Sequence, residues 1–279
     1  SGGTNRGRSF DFNVFASDLF NSITVQKTAD ASTEEGSLGA TVDLTTARPF
    51  DREGFVFTTS FQSAYNDLSE KTDPRGAMLI SNTWGGGTFG ALLSVAYTKR
   101  QVLEEGPSTV RWATGNAFAP GFAGPAPSGF TLAQLNAAFH PRFPRMEIYN
   151  IDQERLGMTG SLQWRPSDST QLTLDALYAD FSTDREEKQL EAPSFSVGGA
   201  CTSATTASGA CGIAQTTVTA ATIDANNNLL AGTFNNVDIA VENRFDQLKT
   251  EFSQLTLSGT HDFNDRFTVN AVVGRSVSD

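Results

Sequence analysis

Long apolar runs are missing from this chain. Nothing in its 279 residues approaches the roughly 18 consecutive apolar residues of a membrane helix, so any membrane crossing would have to be made by strands. Cysteine and histidine are scarce, two of each. His140 and His261 lie far apart with no neighbouring ligand spacing, so no metal site is assigned, and both are expected to be ordinary surface or wall residues. Cys201 and Cys211 bracket a run of small and polar residues with no accompanying His/Cys cluster. That spacing suits a disulfide across an exposed loop in an oxidising compartment better than zinc. Positive charge is short as well: 20 Lys and Arg against 31 Asp and Glu leave a net charge of −11, which excludes nucleic acid as a partner. No Gly-x-Ser-x-Gly, His-Glu-x-x-His, phosphate loop or Cys-x-x-Cys is present. The adjacent carboxylates Glu104-Glu105 and Glu186-Glu187 point apart on an extended chain. Hence no catalytic residue and no cofactor is assigned. The N-terminus also lacks the apolar core of a signal peptide, so an export signal is expected upstream or already removed.

What is present is alternation. Seven runs place apolar and polar residues on opposite faces, as a strand does. They are approximately Gly54 to Asn66, Arg75 to Trp84, Phe89 to Gln101, Glu154 to Pro166, Gln171 to Ser182, Thr250 to Phe263 and Arg266 to Val277. In the fourth, Leu156, Met158, Leu162 and Trp164 oppose Thr159, Ser161, Gln163 and Arg165. In the fifth, Leu172, Leu174 and Tyr178 oppose Gln171, Thr173 and Asp175. The second run is the weakest, its two faces being nearly equal in polarity. Aromatic residues gather at both ends of the apolar faces: Tyr65, Tyr97 and Tyr178 at one, and Phe55, Phe89, Trp164, Phe263 and Phe267 at the other. Outer-membrane strands carry such girdles where lipid meets water.

The connections alternate too. Three are tight: Gly85 to Thr88, Ser167 to Ser169, and Asn264-Asp265. The others are Asp67 to Pro74 and two long segments, near 102–153 and 183–249, all expected on the external side.

Before the first run the texture changes. Phe15 to Phe50 reads as a short helix with Ser17 as N-cap, a strand with Ile23 and Val25 facing a core, a turn flanked by Gly36 and Gly39, and a strand carrying Val42 and Leu44. Its Ile23-x-Val25-x-Lys27 strand, its Glu35-Gly36-x-x-Gly39-Ala40-Thr41-Val42-x-Leu44 turn and strand, and its Arg48-Pro49-Phe50 hinge resemble the end of the plug domain of TonB-dependent outer-membrane receptors. The likeness is closest to the large group found in Caulobacter-like and related proteobacteria. By motif it covers residues 1–51, and beyond them only strand texture.

The resemblance implies antiparallel transmembrane β-barrel strands, a partial barrel, preceded by the C-terminal part of a small α/β plug. Residues 1–51 would be plug and residues 52–279 about the first seven strands of a barrel that such transporters close with about 22. The sequence is therefore expected to be an internal piece of a longer protein in the bacterial outer membrane. Its implied role is active import of a scarce nutrient, an oligosaccharide or a ferric siderophore, driven by a TonB-type energy-coupling complex acting through N-terminal residues not in this sequence. Outer-membrane lipid would be a further partner. A passive porin, an adhesin-type barrel and a soluble all-β carbohydrate-binding module are the alternatives. The porin fits poorly with a plug-like segment, and the soluble module gives aligned aromatic bands no reason.

Cargo contact is expected on the first long segment. Phe130 to Phe139 reads as a short amphipathic helix whose Phe130, Leu132, Leu135 and Phe139 would form a local core. That leaves Trp112, Arg142, Arg145 and Tyr149 for cargo, since rings stack on sugars and guanidinium groups pair with anionic chelates.

Overall fold

The computed structural model describes residues 14–28, 40–114, 121–193, 216–237 and 239–279. The fold is mainly β, built of antiparallel sheets. Among the described residues its strands are β1 (Phe20–Gln26), β2 (Thr41–Thr46), β3 (Val56–Asn66), β4 (Lys71–Trp84), β5 (Phe89–Ser108), β6 (Trp112–Thr114), β7 (Phe139–Pro141), β8 (Arg145–Ser167), β9 (Thr170–Glu191), β10 (Thr217–Ile223), β11 (Leu229–Asn235), β12 (Ala240–Asn264) and β13 (Phe267–Ser278), with one α-helix, α1 (Leu132–Ala137). The seven alternating runs lie in the strands of one sheet, ordered β13-β12-β9-β8-β5-β4-β3, with β13 and β3 at its edges among the described residues.

The chain divides into two compact units: Ser1–Val102 with Ile151–Asp184 and Asp246–Asp279, and Leu103–Asn150 with Arg185–Phe245. In the first unit, register settles the run whose sequence was ambiguous. Phe57 pairs with Ile80 and Ile80 with Leu93, while Thr59 pairs with Met78 and Met78 with Val95. Directly paired residues share a face, so Met78, Ile80 and Trp84 join the apolar side, and all three are exposed. Ser81, on the other side, is buried. Pro74 lies inside β4, opposite Ser63, although proline offers no ladder donor.

The N-terminal stretch packs on the polar face. Ala16, Leu19 and Ala96 form a small core with Phe20, Ala77 and Leu177 against it. Three expectations are corrected here. Ser17 opens a three-residue 3-10 turn, Ser17–Leu19, with Ala16 at the cap position and no side-chain cap. So short a turn leaves the Ser17 hydroxyl to accept a hydrogen bond from Arg75 instead. Ile23 and Val25 are 63% and 51% exposed rather than core residues. They pair with Leu44 and Val42 in a two-stranded ribbon, which has no second layer of its own to cover them.

In the second unit, strand continues where long loops were expected. β5 runs to Ser108 and β8 starts at Arg145; β9 runs to Glu191 and β12 starts at Ala240. Between them lie the β6-β7 and β10-β11 pairs and α1. The helix is shorter than its pattern, held by a capping box between Thr131 and Gln134. Leu135 is buried with Phe122, Ala192 and Val218, and Phe130 and Leu132 pack against them. Phe139 leaves this core and begins β7. His140, expected at a surface or wall, is fully buried with its ring beside Phe122. Cys201, Cys211, Gly36 and Gly39 lie outside the described residues.

Candidate functional site

The seven-stranded sheet is dressed the wrong way round for water. On one face Phe57, Phe61, Leu93, Leu162, Leu174 and Leu257 are exposed, among many others. On the other, Ser94, Thr159, Ser161, Gln163 and Thr173 are buried. Buried polar groups need partners, and these have them. Ser94 and Thr159 share a hydrogen bond of 2.6 Å, Gln163 donates to Thr173 Oγ1 at 3.2 Å, and Ser161 donates to Asp175 at 2.6 Å.

Rings border the bare apolar face. At the tight turns Trp84 stacks on Phe89 at 5.8 Å between centroids, and Phe263 meets Phe267 at 5.5 Å. Past Tyr97 and Leu156, toward the opposite strand ends, charge returns. Lys99 contacts Glu154 at 2.7 Å and Asp152 at 3.5 Å, and Lys249 contacts Glu251 at 2.5 Å and Asp180 at 3.3 Å.

The polar face carries the N-terminal stretch at two seats. At the first, Leu19 occupies the space over Gly157, where a Cβ would lie 2.3 Å from Leu19 Cδ1. Beside it Arg75 Nε donates to Asp18 at 2.8 Å. At the second, Pro49 and Phe50 cover Gly90, where a Cβ would come within 2.7 Å of Pro49 Cβ and 2.9 Å of the Phe50 ring. The Phe50 amide donates to Gln163 Oε1 at 2.8 Å, Arg165 lies over the Phe50 ring at 4.8 Å, and Arg48 pairs with Asp175 at 2.6 Å. The sequence pointed to Arg48-Pro49-Phe50 as a hinge; nothing in it marked Gly90 and Gly157 as the wall positions left open for it and for Leu19.

The four residues expected to touch cargo fall into two pairs, both in the second unit. Trp112, on β6, is 51% exposed and stacks at 5.9 Å on Phe139, itself 42% exposed. Arg142 follows β7, its amide donating to Arg111 O and its guanidinium lying over Phe143 at 4.4 Å. Burial first, and then the charge of Arg111, lowers the proton affinity of Arg142. Arg145 and Tyr149 lie four residues apart on one face of β8. Arg145 donates to Ser108 at 2.7 Å and Gln189 at 2.9 Å and pairs with Glu147 at 3.2 Å. Tyr149 donates to Glu187 at 2.7 Å, and Gln189 contacts Glu187 as well. Burial, then the Glu187 hydrogen bond and nearby carboxylate charge, push the Tyr149 phenol up to about 12. Trp112 and Phe139 thus form an open ring surface, whereas Arg145 and Tyr149 belong to a satisfied polar network.

Comparison with family models, with curated proteins and with solved structures gave no match.

Proposed function

We propose that this chain is part of a TonB-dependent importer in the bacterial outer membrane, its N-terminal stretch being the end of the plug and its seven-stranded sheet part of the barrel wall. The observation that carries the reading is the inverted sheet, with a bare, ring-bordered apolar face and a buried, hydrogen-bonded polar one. In water an exposed apolar patch of this extent marks an interaction surface, and lipid fits its dimensions. From Leu156 to Trp164 a strand advances roughly 26 Å at about 3.3 Å per residue. Tilted by about 40°, it covers roughly 20 Å of height, which with the bordering rings approaches the band of about 25 Å in outer-membrane barrels. The cargo is an oligosaccharide or a ferric siderophore, taken up on the energy of an inner-membrane complex.

Charge introduced on the two faces tests this. Leu174→Arg puts a cation in the apolar zone, where Arg near the bilayer midplane costs about 2–4 kcal/mol, so membrane assembly should fall sharply. Gln254→Arg, on an exposed position of the opposite face of β12, should assemble normally. Equal assembly of both variants, measured by heat-modifiable migration of the full-length protein in outer-membrane fractions, would overturn the lipid-facing assignment.

A further inference from the structure

The apolar face of the first unit is not smooth. A groove of about 590 Å³ crosses it, from Leu93 on β5 past Gly160 on β8 and Ala176 on β9 to Leu255 on β12 and Arg275 on β13. It is hollow because its middle carries almost no side chain: a Cβ at Gly160 would meet nothing closer than the Leu92 carbonyl oxygen at 3.9 Å. Other glycines of this sheet have their space taken by the protein itself. Leu19 fills it over Gly157 and Phe50 over Gly90, and a Cβ at Gly259 would lie 2.9 Å from Leu172 Cδ2. Over Gly160 the protein supplies no such filling. The lining residues span four strand spacings, roughly 19 Å at about 4.8 Å each, an elongated shape. At its β13 end stands a charge out of keeping with its face. Arg275 pairs directly with Leu255 and so shares the apolar side. It is exposed, and among the described residues it has neither a hydrogen bond nor an ion pair.

We propose that this groove is a binding site for one phosphorylated lipid of the outer leaflet, an acyl chain lying over Gly160 and Ala176 and the phosphate resting on the Arg275 guanidinium. A cation on a lipid-facing wall is costly unless an anion meets it, and a guanidinium takes phosphate in bidentate fashion. The elongated apolar recess takes a hydrocarbon chain, which supplies the contacts that the missing side chains leave unmade. Neither half suffices alone: inorganic phosphate leaves the recess empty, and an uncharged lipid leaves Arg275 without a partner. Arg275 lies toward the end of β13 away from Phe267 and the tight turn, and Tyr178 of the opposite aromatic border lines the same groove. That position matches headgroups on the external side. The inference rests on the lipid-facing reading proposed above.

Native mass spectrometry of the full-length protein in detergent tests it, with lipid A, dephosphorylated lipid A and inorganic phosphate as probes. Wild type should retain one lipid A and prefer it at least tenfold over either of the other two. Arg275→Gln, at an exposed position with no protein contact to lose, should abolish the preference, whereas Arg266→Gln, beside a tight turn of the same unit, should keep it. Gly160→Leu fills the groove and should lower lipid A retention at least tenfold, and Ala176→Leu should do the same where Gly160→Leu assembles poorly. Equal retention of the two lipids, inorganic phosphate held as well as lipid A, a preference that survives Arg275→Gln or falls equally in Arg266→Gln, or retention undiminished by the filling substitutions would each overturn the proposal. The lipid-facing reading fails separately. Normal assembly of Leu174→Arg would remove the membrane from this face altogether, whereas poor assembly of Leu174→Arg beside unselective lipid retention would remove the groove and leave the lipid-facing wall.

Discussion

Tyr149 shows how one side chain reports its surroundings. Its phenol donates to Glu187 on a partly buried face of β8, and ionisation would set a phenolate against Glu187 and Glu147 with only Arg145 in opposition. A free phenol ionises near pH 10, and here the value is about 12. Below about pH 10 the group is neutral in the folded and unfolded chain alike and its contribution to stability is complete. As pH rises from there through about 12, the unfolded chain gives up a proton that the folded one keeps, and that contribution is lost. The ultraviolet difference titration between the wild type and Tyr149→Phe should therefore have its midpoint near pH 12, and a midpoint near 10 would show that the phenol is not held by Glu187. The side-chain types of this network were legible in the sequence, but their partnerships were not. Glu187 and Gln189 reach Tyr149 and Arg145 from another strand, a relation that spacing within β8 does not encode. Ser17 teaches the same lesson, since its hydroxyl serves an arginine 58 positions away rather than its own turn.

Strands were more legible than residues, because a half-buried strand writes its two environments at period two. The tight turns Gly85 to Thr88 and Asn264-Asp265 ended their runs where expected. What hid was extension. β8 begins at Arg145, nine residues before the run read from the sequence, because Asn150, Asp152 and Glu154 interrupt the apolar parity between Ile148 and Leu156. Alternation is lost over that polar interval, although the strand continues through it. Pro74 hid the start of β4 for a different reason, as a residue usually read as a strand breaker. Among the shorter elements, the β6-β7 pair holds the one expected cargo residue that is both aromatic and open. Trp112→Ala should weaken cargo binding roughly tenfold, about the value of one lost ring-stacking surface, while leaving the amount of protein in the membrane unchanged. Isothermal titration with the transported cargo would check this, and unchanged affinity would remove the Trp112–Phe139 surface from the binding path. Arg145→Ala should instead leave Gln189 and Glu147 without their cation and act first on folding.

At the scale of the molecule, the two faces of the seven-stranded sheet predict different neighbours for the three tryptophans. Trp84 and Trp164 are exposed on the apolar face beside the tight turns, at positions where an aromatic border would meet lipid. Trp112 lies on β6, in the second unit, and its ring stacks on Phe139. A soluble sheet would present all three to water. In a bilayer, Trp84 and Trp164 should lie within reach of acyl chains and Trp112 should not. Fluorescence in vesicles of brominated phospholipid should therefore fall strongly in wild type and by a larger fraction in Trp112→Phe, which lacks the unquenched Trp112 emission, whereas the double variant Trp84→Phe, Trp164→Phe should lose most of the quenching while keeping the Trp112 emission. Aromatic replacement preserves the stacked and bordering rings, so the comparison does not depend on surviving a lost contact. Quenching that persists in the double variant would place the β6-β7 pair in lipid and reverse the assignment of which strand ends lie outside the bilayer.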